Sequence, residues 1–149
     1  MERTFVMIKP DAFGRRLSGE IISRYEAKGL KLVGLKMQII GRELAERHYD
    51  EHKERPFFGE LCDFVTSGPS IQMVWEGHDA VAVARKLNGA TNPQDADHGT
   101  IRGDLALSLQ NNAVHASDAL KTAEREIGLY FNDNELWSYS MPDDCWLVD

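Results

Sequence analysis

The order of apolar patterns along the chain predicts a mixed α/β (α+β) fold, and three observations carry that expectation. Short apolar runs near residues 4–8, 31–40, 71–76 and 113–115 have strand length, and stretches with helical spacing separate them. Glycine and proline mark the junctions, at Pro10, Gly29, Pro56, Gly68-Pro69, Gly77 and Gly89. The chain has 149 residues, which is one domain by length and enough for one solid core, so residues 1–149 are expected to form a single domain.

Thr4 to Ile8 reads as a buried first strand, stopped by proline at Lys9-Pro10-Asp11. Lys9 then stands at the carboxyl end of a central strand, a common place for ligand contacts; a surface lysine beside a turn is the other reading. Residues 14–18 read as a loop. Ser18 is the expected cap of a helix with Glu20 in its first turn and Ile21, Ile22 and Tyr25 inward, and Gly29 ends it. Lys31 to Ile40 is the second strand, with Val33, Leu35, Met37 and Ile39 sharing a face. Residues 43–53 read as helical, with Leu44, Ala45 and Tyr49 toward the body of the protein. Pro56 opens a helix over 57–66, and the turn Ser67-Gly68-Pro69 leads into a third strand from Ile71 to Glu76. Asp79 is expected to cap a helix running to about Asn88, with Val81, Ala84 and Leu87 inward and Arg85 near its end.

Residues 90–112 read as a long irregular loop, of a length that is usually functional or disordered. The glycines flanking Arg102 argue for a fixed backbone there. The fourth strand is short and runs into His115. Ser117 or Asp118 caps a last helix over 118–128, carrying Leu120, Ala123, Glu124 and Ile127. The tail, with Tyr130, Phe131, Leu136, Trp137, Tyr139 and Trp146, is expected to pack on its own domain or on a neighbouring subunit. The order βαβ, helices, βαβ is the ferredoxin-like βαββαβ pattern: an antiparallel four-stranded sheet with extra helices and one long loop.

No apolar run approaches the length of a membrane span, and Met1-Glu2-Arg3-Thr4 lacks the basic-then-apolar plan of a secretory signal. A cytoplasmic chain with no membrane partner is expected. Cys62 and Cys145 form no metal or redox motif and are expected to be reduced thiols. The net charge of −7 argues against a nucleic-acid-binding surface. It also sets a requirement: a polyphosphate ligand needs basic residues gathered at one place.

The chemistry-bearing stretch is Leu109 to Asp118, where His115 ends a strand and only the small Ala116 and Ser117 follow. A neutral imidazole held there can face a pocket and act as a nucleophile near neutral pH, or it can simply cap the strand on a nearby carbonyl. His48-Tyr49-Asp50-Glu51-His52 matches the H-x-x-E-H zinc-protease pattern, with both histidines on one helical face. That zinc hydrolase reading needs a third ligand from elsewhere. Phe57 and Phe58 cannot both enter one core face of a helix, so one is available as a platform for a nucleobase; joint packing of the domain is the alternative.

Taken together, the motifs resemble the nucleoside diphosphate kinase family from end to end. The resemblance is carried by Lys9-Pro10-Asp11, Glu26 to Gly29, Arg55 to Phe58, Ser67 to Pro69, Met73 to Gly77, Gly89 to Pro93, Gly99 to Asp104, Asn112 to Asp118 and Glu124 to Gly128. It implies an enzyme in which His115 takes the γ-phosphate of a nucleoside triphosphate as a pros-phosphohistidine and passes it to a diphosphate, maintaining nucleoside triphosphate pools. Glu126 resembles the family residue that orients the imidazole. Arg85, Thr91 and Arg102 would hold the phosphates together with Mg²⁺, bound through the phosphates and not by a protein metal site. Lys9 and Asn112 would bond the ribose hydroxyls and the phosphate end, and Tyr49 would lie beside the histidine. His52 and Arg55 match positions that approach the phosphates, and Phe57 would stack on the base. The residues 90–112 become the nucleotide-site loop. The resemblance also implies ATP and other nucleoside di- and triphosphates as partners, and a homo-oligomer, either a hexamer or a tetramer built from dimers.

Three places depart from the family pattern. Ala12-Phe13-Gly14-Arg15-Arg16 stands where Gly-Val-Gln-Arg-Gly is usual, Gln110-Asn111 replaces Gly-Arg, and Ala116 replaces the glycine after the histidine. A methyl group beside the nucleophile is harmless where φ is negative and costly where it is positive. The alternative is therefore a catalytically impaired nucleotide-binding or regulatory protein on the same scaffold.

Overall fold

The computed structural model describes residues 1–149. Its centre is a four-stranded antiparallel sheet in the order β2-β3-β1-β4, from β1 (Glu2–Ile8), β2 (Lys31–Gln38), β3 (Ser70–Gly77) and β4 (Val114–Ala116). This is the expected ferredoxin-like arrangement. β1 is central and covered on both sides, which is why its apolar residues run without alternation. Val6 and Ile8 face one core with α1 (Pro10–Gly14), α2 (Ser18–Lys28), α5 (Ala80–Asn88) and α6 (Ile101–Leu105). Phe5 and Met7 face the other, with α3 (Arg42–His48), α4 (Phe58–Val65) and α7 (Leu120–Tyr130).

Several boundaries differ from expectation, each for a local reason. Pro10 breaks β1 but at once starts the short helix α1, because its fixed φ and missing N–H suit the first helical turn. Ser18 lies inside α2, whose N-cap is Leu17. Gly29 ends α2 in the left-handed conformation with φ 101°, as expected. Asp79 occupies the N-cap of α5 but caps nothing with its side chain. The Glu2 carboxylate instead reaches over from β1 to accept the Val81 N–H at 2.9 Å. Neither Ser117 nor Asp118 caps α7, which begins after Ala119. The segment 90–112 is not wholly irregular: it contains a 3-10 turn, Pro93–Asp95, and α6. Gly103 is required in α6, since a Cβ there would sit 2.0 Å from the Asp97 carbonyl oxygen.

The largest departure is β2. A bulge between Leu32 and Gly34 breaks its register against β3, and β2 is an edge strand. Val33 is buried, yet Leu35, Met37 and Ile39 are 48%, 61% and 64% exposed, so the expected shared face is split. The tail runs back over the start of this strand. Trp137 N–H donates to the Val33 carbonyl at 2.9 Å, and the Lys31 ammonium donates to the Tyr139 carbonyl at 3.0 Å. The short helix α8 (Asp144–Leu147) follows, tied to Lys31 through Asp144. Tyr130 and Phe131 are buried, whereas Trp137 and Trp146 remain exposed.

Candidate active site

β4 pairs with β1 along Val6–Ala116, Met7–His115 and Ile8–Val114, and this register sets His115 near the end of β1 that carries Lys9. The turn before β4 is strained: Ala113 has φ 72°, a conformation that costs a non-glycine residue roughly 1–3 kcal/mol. The surrounding hydrogen bonds hold it. The Lys9 N–H donates to the Ala113 carbonyl at 2.9 Å, and the Ala113 N–H donates to the Asp11 carboxylate at 2.9 Å. The Arg102 guanidinium donates to three carbonyls, Asn112 at 3.2 Å, Gly89 at 2.9 Å and Val114 at 2.7 Å. Arg102 thus ties α6 and the end of α5 to the strand that carries the histidine.

The Lys9 ammonium donates to the Asn112 side-chain oxygen, and the Asn112 amide donates to the Thr91 carbonyl at 2.9 Å. Burial pulls the Lys9 pKa down to about 8, with Arg102 adding to the effect and Asp11 opposing it. These residues open onto a cleft of about 520 Å³. Its wall includes Lys9, Tyr49, His52, Arg85, Thr91, Arg102, Asn112, His115 and Glu126. The basic groups the net charge required are therefore gathered at one place. Arg55 and Phe57 lie outside that wall but beside it. Arg55 is bonded through its N–H to the His52 carbonyl at 2.8 Å, and the Phe57 ring centroid is 5.4 Å from that of His52. Of the two adjacent phenylalanines, Phe57 is 46% exposed and Phe58 packs on the second core, as one outward ring required.

His115 is held by its Nε2, 2.7 Å from Glu126 Oε2. Ser117 donates its hydroxyl to the other carboxylate oxygen. Glu126 is 2% exposed. Burial pushes its carboxyl up, but the polar contacts with the His115 and His48 rings outweigh this and hold it well below the usual carboxylate range. Ala116 is not among the residues with positive φ, and its methyl lies in the first core. The added methyl therefore carries no backbone strain. Phe13 packs on the same core, and Gln110 and Asn111 are exposed.

The zinc pair does not survive folding. α3 ends at His48, and His52 lies in a separate 3-10 turn, Asp50–His52, so the two histidines no longer share a helical face. His48 is 3% exposed and turned toward Glu126, while His52 is half-exposed beside Phe57. The residues that sequence reasoning missed are His48 in this setting, Ser117, Tyr130 and Asp11. Only the spacing of Ser117 and Glu126 from His115 gave any signal, because the other contacts are long-range.

Comparison with known proteins agrees with this geometry. The family model described as nucleoside diphosphate kinase matches residues 2–136. The chain is 58% identical over 149 residues to the nucleoside diphosphate kinase of Crocosphaera subtropica and 57% identical to that of Methanococcoides burtonii, covering all of both chains in each case. Among solved structures, a nucleoside diphosphate kinase family protein from Babesia bovis superposes with a TM-score of 0.97 at 42% identity, over 99% of this chain and all of that one. The halophilic nucleoside diphosphate kinase of Halobacterium salinarum, solved in complex with CDP, gives 0.96 at 50% identity over 99% of each chain. By sequence, by fold and by full-length coverage, the chain belongs to the nucleoside diphosphate kinase family, the enzymes that move phosphoryl groups between nucleoside triphosphates and diphosphates.

Proposed function

We propose that residues 1–149 act as one domain that transfers the γ-phosphate of a nucleoside triphosphate to a nucleoside diphosphate by a ping-pong route through His115. The observation that carries this is the 2.7 Å bond between His115 Nε2 and Glu126. An ionised carboxylate accepts and cannot donate, so Nε2 carries the proton and Nδ1 keeps its lone pair. Nδ1 attacks the γ-phosphorus and forms the nitrogen–phosphorus bond. The bond to the bridging oxygen breaks, and the diphosphate leaves with that electron pair. The phosphorylated ring still holds its Nε2 proton and gains positive charge, which the Glu126 carboxylate stabilises. A second diphosphate takes the group by the reverse chemistry.

Lys9, Arg85, Thr91, Arg102 and Asn112 would bind the phosphates and the sugar, with Tyr49 beside the histidine and His52 and Arg55 near the phosphates. Phe57 would stack on the base. Stacking reads no base edge, so several bases are accepted. The CDP bound to the Halobacterium salinarum relative is consistent with such tolerance. Mg²⁺ fits as an ion carried by the phosphates: the cleft carboxylates Asp50, Glu51 and Asp118 are not closed into a cage, and the His48–His115–Glu126 cluster offers mostly nitrogen, a poor match for a hard cation. The ion would neutralise phosphate charge there. The exposed Leu35, Met37 and Ile39 on the edge strand fit a second copy of the chain as the first step of a homo-oligomer. A cytoplasmic protein without nucleic-acid partners suits the charge of −7.

Ala116 keeps a backbone any residue adopts, so nothing favours the impaired alternative. Intact-mass spectrometry after mixing with ATP and Mg²⁺ tests the reading. One acid-labile phosphoryl group per chain, discharged by GDP and absent in His115→Ala, is the expected result. Nucleotide binding with no adduct would overturn it.

A further inference from the structure

The nucleophile is not the only imidazole on Glu126. His48 Nε2 lies 2.7 Å from the same Oε2 atom that holds His115 Nε2. The two rings meet edge to face, with centroids 4.8 Å apart. His48 Nδ1 is 2.6 Å from the Tyr130 hydroxyl, and Tyr49 stacks flat on the His48 ring at 4.5 Å. The Phe5 ring closes another side at 6.0 Å. His48 is 3% exposed and so almost wholly withdrawn from bulk solvent.

These contacts decide the tautomer. A lone pair on Nε2 facing an ionised oxygen at 2.7 Å would be repulsive, so Nε2 carries a proton. Burial holds the His48 pKa below its ordinary value against the pull of Glu126, so the ring is neutral and Nδ1 is an acceptor. The Tyr130 hydroxyl therefore donates to Nδ1, and its own proton is secure because burial pushes the phenol pKa up. His115 Nε2 forms a hydrogen bond to Oε2, whereas His48 Nε2 approaches the same oxygen as closely without completing one in this arrangement. One carboxylate oxygen thus has two imidazole nitrogens at 2.7 Å, one hydrogen-bonded and one in close electrostatic contact.

We propose that His48 is a positioning residue for the phosphotransfer, a second N–H on Glu126 Oε2 that sets how strongly the carboxylate grips the nucleophile. This rests on reading His115 as the nucleophile. The other charged and titratable groups facing the cluster are Lys9, Arg85 and Arg102 across the cleft, Asp50, Glu51, His52 and Asp118 on its wall, and Arg125, which donates to the His48 carbonyl. None of them touches Glu126 Oε2. Without His48 the carboxylate concentrates on His115. The carboxylate then favours the protonated, non-nucleophilic form of the ring more strongly, and the acid limb of phosphorylation moves toward higher pH.

The test is the pH dependence of single-turnover phosphorylation by ATP and Mg²⁺, measured on the full chain. In His48→Phe the acid limb moves to higher pH by roughly half a unit or more, and the alkaline plateau is largely kept. His48→Gln, whose amide N–H replaces the Nε2 donor, restores the wild-type limb. Tyr130→Phe, which removes the group fixing the tautomer, shifts the limb in the same direction by less and keeps the proposal testable should His48→Phe fail to fold. Long-range ¹H–¹⁵N spectra read the tautomer of His115 directly. A uniform rate loss at every pH, or limbs unchanged in all variants, would overturn the role of His48. An acid-labile adduct persisting in His115→Asn would overturn the nucleophile assignment instead, and the two failures are distinguishable.

Discussion

The two faces of the sheet solve different problems with the same strand. Val6 and Ile8 point into a core that includes Ile21, Tyr25, Met73 and Trp75 and is built almost wholly of hydrocarbon and aromatic rings. Phe5 and Met7, one residue out of phase, point toward a core whose margin holds His48, Tyr49, Tyr130 and Glu126, all bonded or stacked to one another. The first face derives its stability from apolar burial, which is tolerant of detail. The second places an ionised carboxylate out of water, which is tolerable only while its hydrogen bonds are complete. The difference teaches where a substitution should appear: in stability on one side, in rate and pH dependence on the other.

The sharpest test of the first face is Ile21→Ala. It removes a fully buried side chain from α2 and is expected to cost about 2–5 kcal/mol of unfolding free energy. Denaturant titration reads that loss, while the rate per folded molecule stays near wild type. A large rate effect at full folding would break the separation of the faces. On the other side, Glu126→Gln keeps the shape and removes the charge. Its expected effect is roughly a hundredfold loss in turnover, about 3 kcal/mol of transition-state stabilisation. Steady-state kinetics on ATP and a diphosphate measures it, and a change in KM alone would contradict the orienting role.

Lys9 is where the faces meet, and its titration has opposite consequences for stability and for binding. Its folded pKa, about 8, lies below the ordinary lysine value of 10.5, so between those values the unfolded chain binds more protons and stability rises with pH. Below about 8 the full cost of the buried charge is present. If Lys9 binds phosphate as proposed, affinity for a nucleoside diphosphate should fall about tenfold from roughly pH 7 to pH 9, with proton uptake on binding at the upper end. Calorimetry in buffers of different ionisation enthalpy detects the uptake, and its absence would remove Lys9 from the phosphate site. The smallest effect belongs to Ala116→Gly. The residue has no positive φ to relieve, so turnover should stay within about twofold and stability should fall by less than about 1 kcal/mol, from unfolded-state entropy alone. A substantial gain in rate would show that the methyl obstructs the site.

Much of this architecture was legible from local pattern. The run Thr4 to Ile8, the helix ending at Gly29 and the strand from Ile71 depend on burial period and on glycine chemistry, both of which act over a few residues. The basic groups Lys9, Arg85 and Arg102 could be named through the family resemblance of their motifs, and they meet the need of a polyphosphate site in an acidic protein. The misreadings were non-local. The face of β2 was wrong because a bulge and an edge position decide it, and neither leaves a trace in the period of the strand itself. Asp79 looked like a cap, but Glu2 does that work from the far end of β1. His48 and His52 looked like a pair because four residues separate them, and the end of α3 after His48 separates their directions.

By itself the sequence determined the order and kind of the main elements and the requirement that basic residues gather wherever a polyphosphate binds. These follow from composition and short-range periodicity, which are properties of neighbours along the chain. Only the tertiary structure decided which oxygen of Glu126 holds His115, that His48 shares it, that Arg102 and Asp11 brace the strained turn at Ala113, and which side of β2 meets solvent. Those contacts join residues far apart in sequence, and they are set by how strands pair and helices pack, where differences of an ångström separate a hydrogen bond from none.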